Sequence, residues 1–129
     1  MEEIDTTIEG ARIFVVEDES FITMLLQDMF EELRCEVVSL ASRFQDALEK
    51  ANTLSSFEVA ILDVNLNGER TFPIAEVLMA RGLPFVFATG YGAAAVPEDF
   101  RAAPVLQKPF RIADLERAVR TALTAPRAA

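Results

Sequence analysis

Apolar runs that stop abruptly on a polar residue constrain this chain more than any other feature. Ile13-Phe14-Val15-Val16 runs straight into Glu17-Asp18-Glu19. Phe57 to Leu62 is closed by Asp63, Phe85-Val86-Phe87-Ala88 by Thr89, and Val105-Leu106-Gln107 by Lys108. Val37-Val38-Ser39-Leu40 makes a fifth run. Short apolar runs without alternation suit strands covered on both faces, as in a parallel sheet. Between them the period changes. Ile22, Leu25, Leu26, Met29, Phe30 and Leu33 recur at i+3/i+4 spacing from Ser20, which predicts an amphipathic helix. A second helix gathers Phe44, Ala47, Leu48 and Ala51 behind a Ser42 N-cap. A third carries Ile74, Val77 and Leu78, with Thr71 as cap, Pro73 in the first turn and Gly82 as its end. A last one spans Ile112, Leu115, Ala118, Val119 and Leu123 before Pro126. Asn67-Gly68 signals a turn, and the Ala-rich stretch over 93–101 predicts only a short or irregular helix. Strands alternating with helices imply an α/β fold, a doubly wound five-stranded parallel sheet with helices on both faces.

At 129 residues there is room for one domain. Residues 1–10 read as a polar, flexible arm and 125–129 as a tail. Composition removes whole classes of function. With 12 basic against 21 acidic residues and a net charge of −9, the chain lacks the basic surface that nucleic acid or anionic lipid requires. It has no histidine, hence no imidazole base or ligand of its own, and its single cysteine, Cys35, excludes an internal disulfide. Cys35 reads as a helix-end or core residue. Phenylalanines such as Phe14, Phe57, Phe85 and Phe87 read as core, Met24 and Met29 as core filler, and Arg117 and Arg120 as partners of the last helix's dipole. No apolar run is long enough to span a membrane, and the acidic start is no signal peptide, so a soluble cytoplasmic domain is expected. Its chemistry must come from carboxylates, hydroxyls and lysine.

Parallel strands place all their C-terminal ends on one edge, where open α/β folds bind ligands. Glu17-Asp18, Asp63, Thr89 and Lys108 therefore meet on one rim, although up to 91 positions separate them in sequence. In strand order 2-1-3-4-5, Glu17, Asp18 and Asp63 become neighbours. Carboxylates about 4 Å apart repel by about 4 kcal/mol per pair at an effective dielectric of about 20. A hard divalent cation such as Mg²⁺ relieves that repulsion, as does a raised pKa. Alone, each residue reads as an ordinary solvated loop, cap or surface charge. Together they point to an aspartyl-phosphate site at Asp63, with Mg²⁺, the Lys108 ammonium and the Thr89 hydroxyl serving in-line phosphoryl transfer.

These residues also carry a family resemblance. Val15-Val16-Glu17-Asp18-Glu19, Ile61-Leu62-Asp63 and Gln107-Lys108-Pro109-Phe110 make residues 11–124 similar to the receiver domain of two-component response regulators. Pro84 to Tyr91 resembles the segment that defines the FATGUY subfamily, mainly stand-alone receivers. The resemblance implies a flavodoxin-like sheet and phosphorylation of Asp63. It implies Mg²⁺ held directly by Asp18, through water by Glu17, and by the backbone carbonyl of Asn65. It further implies Thr89 and Lys108 as contacts of the phosphoryl group, a cis Lys108–Pro109 bond, and a Gly90 that keeps the site open. The phosphoryl group would come from the phosphohistidine of a sensor histidine kinase or histidine phosphotransferase. Because the pattern fills nearly the whole chain, output is expected through contact with a downstream protein, or by draining phosphate from a kinase.

Two departures stand out. Val105 occupies the position of the aromatic switch residue usual in such domains, so coupling from Thr89 must run differently, with Tyr91 the candidate alternative switch. The stretch from Tyr91 to Phe100, where a fourth helix normally forms, is flanked by proline and glycine. Two other readings are a flavodoxin-like flavin- or nucleotide-binding domain and a docking receiver that works without phosphorylation. Glu17-Asp18-Glu19, where a flavin phosphate loop would stand, counts against the first.

Overall fold

β1 (Arg12–Val16), β3 (Val59–Asp63) and β6 (Phe85–Thr89) are buried along their whole length apart from Arg12, which makes them the inner strands. The computed structural model describes residues 8–124. The remaining elements are α1 (Ser20–Glu32), β2 (Glu36–Ala41), α2 (Phe44–Thr53), α3 (Phe72–Ala80), β7 (Val105–Gln107) and α4 (Ile112–Thr124). Asn65–Leu66 (β4) and Glu69–Arg70 (β5) form a small antiparallel ribbon. The main sheet is parallel in the order β2-β1-β3-β6-β7. Counting only its own strands, that is 2-1-3-4-5, the expected doubly wound topology.

Alternation along the strands divides the core. Phe14, Val16, Ala60, Leu62, Phe85 and Phe87 face α2 and α3, where they meet Ala47, Ala51, Ile74 and Leu78. Ile13, Val15, Val59, Ile61, Val86 and Ala88 face the other way, onto Leu26 and Phe30 of α1 and Leu115 and Val119 of α4. α3 ends as Gly82 requires. Gly82 takes φ +72°, and the Leu83 N–H reaches back 2.9 Å to the Leu78 carbonyl. The Asn67-Gly68 pair has φ of +54° and +89°, so it turns the β4–β5 ribbon.

Between β6 and β7 the chain forms two 3₁₀ turns, Gly92–Ala95 and Glu98–Phe100, instead of an α-helix. Pro97 separates them in extended conformation. Phe100 does the burying. Its ring lies 5.7 Å from Phe72 and 5.7 Å from Phe87, and Phe87 lies 5.3 Å from Phe85. Aromatic area thus covers this side of the sheet where residues 92–95, GAAA, bury no side chain.

Several expectations change on contact with the structure. Residues 1–7 and 125–129 lie outside the described residues, but 8–10 are no arm. Ile8 is buried, the Gly10 N–H donates to the Arg34 carbonyl at 2.8 Å, and the Cys35 thiol donates to the Ile8 carbonyl at 3.0 Å. Met24 is 61% exposed, because the stripe through Leu26 and Phe30 turns it to solvent; Met29 packs on the core as expected. Phe21, at 74%, is likewise outside. Arg43, not Ser42, holds the N-cap position of α2 and makes no side-chain cap. Arg117 and Arg120 pair one turn back with Asp114 (3.6 Å) and Glu116 (3.2 Å), and neither lies in the last turn of α4.

Thr71 stands at the N-cap of α3, yet its hydroxyl caps nothing. It donates to the Asp63 carbonyl at 2.6 Å while its own N–H donates to the Val64 carbonyl at 3.0 Å. Fully buried, it fastens the start of α3 to the end of β3.

Phe87→Ala, which empties the centre of the aromatic cluster, should cost about 3–5 kcal/mol in chemical denaturation. Thr71→Val keeps the shape but removes the donor, and should cost about 1–3 kcal/mol, most of it regained by Thr71→Ser.

Candidate functional site

Strand register assembles the polar residues. Val16 lies opposite Leu62, so the next residues out, Glu17 and Asp63, are adjacent at the rim. Asp63 pairs with Ala88, just before Thr89, and Thr89 pairs with Gln107, just before Lys108. The Lys108 N–H continues the ladder to the Thr89 carbonyl at 2.9 Å, and the following Lys108–Pro109 bond is cis, as expected.

Lys108 joins the rim together. Its Nζ donates to Glu17 Oε1 and to Asp63 Oδ2, each at 3.1 Å. The other carboxylate oxygens take backbone donors. Glu17 Oε2 accepts the Glu19 N–H at 3.1 Å, Asp63 Oδ1 the Asn65 N–H at 3.3 Å, and Asp18 Oδ2 the Asn67 N–H at 2.9 Å. Glu17 and Asp63 are buried, while Asp18 is half-buried. One oxygen from each of Glu17, Asp18 and Asp63 lies within 4.8 Å of the others. This is an all-oxygen, anionic set that fits a hard divalent ion better than a thiophilic one.

Burial and the Asp63 charge push the Glu17 carboxyl up to about 7, against the attraction of Lys108. Burial likewise raises Asp63, with Lys108 opposing. Burial works to lower the Lys108 ammonium, but Asp63 and Glu17 outweigh it and hold it above its ordinary value. The site is therefore short of positive charge, and one ammonium does not satisfy the carboxylates around it.

A cavity of about 680 Å³ opens over Asp63. Asp18, Asn65, Thr89, Gly90, Tyr91 and Lys108 all line it, so the structure brings every expected site residue to one place, with Glu17 beneath. The Thr89 hydroxyl oxygen is buried and accepts the Tyr91 N–H at 3.0 Å. Tyr91 is 82% exposed on the cavity rim, more open than a loop-edge aromatic packed on the core. Asn65 Oδ1 accepts the Gly68 N–H at 2.8 Å within the ribbon turn. Val105 packs against the aromatic core cluster. Arg70 also lines the cavity, and sequence reasoning missed it. Its only signal was the Asn67-Gly68 turn, which folds the chain back toward Asp63. Thr71 was noticed, but as a helix cap rather than as the hydrogen-bond donor to Asp63.

Comparison with known proteins agrees with this geometry. The model of the response regulator receiver domain matches residues 13–120. Transcriptional regulatory protein PdtaR of Mycobacterium tuberculosis is 32% identical over 117 residues, which cover 88% of this chain and 57% of that protein. The chain thus spans little more than half the length of that curated relative. The solution structure of SdrG from Sphingomonas melonis Fr1 is 39% identical with a TM-score of 0.78, covering 94% of this chain and 100% of that one. The BeF3-activated conformation of SdrG from Pseudomonas melonis Fr1 is 40% identical with a TM-score of 0.76, covering 90% and 98%. With the family model matched along most of its length and its strand order the one expected, the chain belongs to the response regulator receiver domains, which are phosphoacceptor signalling domains rather than conventional enzymes.

Proposed function

We propose that this receiver accepts a phosphoryl group on Asp63 from a partner's phosphohistidine, with Mg²⁺ bound, and signals through contact with another protein. The observation that carries the reading is Lys108 Nζ, held 3.1 Å from both Glu17 and Asp63 at the base of an open cavity. An Asp63 oxygen attacks phosphorus, the N–P bond of the donor breaks, and the imidazole leaves with that electron pair and takes a proton from solvent. Asp18 would hold Mg²⁺ directly, Glu17 through water, and Asn65 through its backbone carbonyl. The bound ion supplies positive charge against the phosphoryl oxygens. Lys108 pairs with one of those oxygens, and Thr89 turns its hydroxyl proton to another. Gly90 lines the cavity on this approach, and the space beside its Cα is open.

The segment Phe85-Val86-Phe87-Ala88-Thr89-Gly90-Tyr91 supports membership of the FATGUY subfamily. Full coverage of SdrG supports a stand-alone role. A sensor histidine kinase or histidine phosphotransferase is the donor in this reading, and the setting is cytoplasmic. Among the described residues no helix is long and apolar enough to cross a membrane. With Val105 in place of an aromatic, the switch runs through the loop Thr89-Gly90-Tyr91. Engaging Thr89 with phosphate disturbs the hydrogen bond from the Tyr91 N–H and moves the exposed ring.

Incubation with acetyl phosphate and Mg²⁺ should add one phosphoryl group by intact mass, absent without metal and absent in Asp63→Asn. Equal modification of Asp63→Asn would overturn the assignment.

Because Glu17 is raised from 4.5 to about 7 in the fold, the metal-free protein binds this proton more tightly folded than unfolded, and loses stability as pH rises through that window. Mg²⁺ binds the deprotonated set, so it should raise the melting temperature more at about pH 8 than at about pH 5.5. Paired melts with and without Mg²⁺ check this, and an equal shift at both values would contradict it.

A further inference from the structure

The cavity over Asp63 holds a second cation for which the phosphoacceptor reading has no use. Arg70 lines it together with Asp63, Thr89 and Lys108, is exposed, and among the described residues has no carboxylate within ion-pair distance. Its backbone is firmly placed. In the β4–β5 ribbon it pairs with Asn65, two residues past Asp63. The ribbon tip is tied down by the Asn67 N–H on Asp18 Oδ2 and by Asn67 Nδ2 on the Ser42 carbonyl, each at 2.9 Å. The next residue, Thr71, is fastened to the Asp63 carbonyl.

Charge explains what such a residue can do there. Glu17, Asp18, Glu19 and Asp63 are the carboxylates in and under the cavity, and Lys108 and Arg70 the cations. When all are ionised, a divalent ion brings the group to neutrality only if Arg70 is counted. Converting the Asp63 carboxylate to an acyl phosphate dianion adds one further negative charge. Without Arg70 the phosphorylated cavity would carry two uncompensated charges, and with it one. A guanidinium also suits the task, because its planar fork of donors matches phosphoryl oxygens two at a time, whereas the Lys108 ammonium acts as a point charge already shared by two carboxylates.

We propose that Arg70 is a phosphoryl-binding residue, whose guanidinium engages the phosphoryl oxygens alongside Lys108 as the group reaches Asp63. This rests on Asp63 being the phosphoacceptor. The effect is largest for small dianionic acyl phosphates, which bring no protein surface to orient them and depend on local charge for capture. In that reaction an Asp63 oxygen bonds to phosphorus, the P–O bond to the acyl group breaks, and the carboxylate leaves with the electron pair.

The test compares wild type, Arg70→Gln, Arg70→Lys and Asp63→Asn with acetyl phosphate and Mg²⁺, following intact mass over time, with Mg²⁺ affinity measured separately by titration. Arg70→Gln should slow phosphorylation about tenfold, the loss of one charge-assisted contact. Arg70→Lys should fall in between. Mg²⁺ should bind Arg70→Gln at least as tightly as wild type, because a neighbouring cation has been removed. A wild-type rate in Arg70→Gln overturns the inference and leaves the phosphoacceptor reading intact, as long as Asp63→Asn stays unmodified. A slow Arg70→Gln that has also lost Mg²⁺ affinity overturns it too, since Arg70 would then be shaping the site rather than binding phosphate. A wild type that gains no phosphoryl group overturns the phosphoacceptor reading, and this inference with it.

Discussion

Everything at the functional rim depends on one ammonium placed between two buried carboxylates. Lys108 cannot be where it is unless β7 lies beside β6 in register, and Glu17 and Asp63 cannot be adjacent unless β1 lies beside β3. The doubly wound order satisfies both at once. Removing one member of a buried ion cluster costs more than the pair itself contributes, because a charge is left without compensation. The cluster nevertheless remains unsatisfied, with both carboxylates raised toward their protonated forms. A receptive site is built this way: the hydrophobic sheet holds together groups that would otherwise drift apart, and the surplus negative charge is left for a cation to meet.

The opposite side of the same strands carries the aromatic cluster. Phe85 and Phe87 alternate with Val86 and Ala88, so β6 presents rings toward α3 and small side chains toward α4. Thr89 ends that strand, and Gly90 and Tyr91 follow it directly. Where a fourth helix would lie, Phe100 stacks on Phe72 with ring planes 16° apart. An exposed loop seated on a rigid aromatic base has fewer internal hydrogen bonds to break than a helix when Thr89 finds a new partner. The replacement of helix by 3₁₀ turns and the smaller residue at Val105 are the two departures on this side of the sheet, and the proposed switch at 89–91 answers to both.

How much of this was legible in the sequence follows from which signals are local. Buried strands announce themselves as unbroken apolar runs, and their polar closing residues mark the rim, so the sheet and the five charged or hydroxyl residues on its rim could be read directly, while the strand order came with the family resemblance. Gly82 ended α3 because only its positive φ permits that turn. The failures share a cause: side-chain direction is decided by partners distant in sequence. Met24 reads as core by residue type, but it stands off the stripe through Leu26 and Phe30 and points outward. Thr71 has the right residue type and place for an N-cap, yet the Asp63 carbonyl, eight residues earlier, won its hydroxyl. Ile8 looked like part of a polar arm until Cys35 and Arg34 were seen to hold its neighbourhood. Arg70 gave no sign beyond the Asn67-Gly68 turn, because exposed arginines are common and only the ribbon brings this one to the cavity.

The ribbon is also where the proposed metal-binding and phosphoryl-binding halves of the site meet. Its tip donates a backbone N–H to Asp18, its first residue is the Asn65 proposed to offer a carbonyl to the ion, its last is Arg70, and Thr71 beyond it holds the backbone of Asp63. Two short hydrogen bonds tie it to the site, Asn67 N–H to the Asp18 carboxylate at 2.9 Å and the Thr71 hydroxyl to the Asp63 carbonyl at 2.6 Å. In the proposed mechanism a cation on Asp18 and a phosphoryl group on Asp63 would each act on a residue hydrogen-bonded to this ribbon or to the residue that follows it. Such coupling is reciprocal by thermodynamic necessity. On the proposed assignments the ribbon is then an element through which occupancy of one half of the site would be felt by the other.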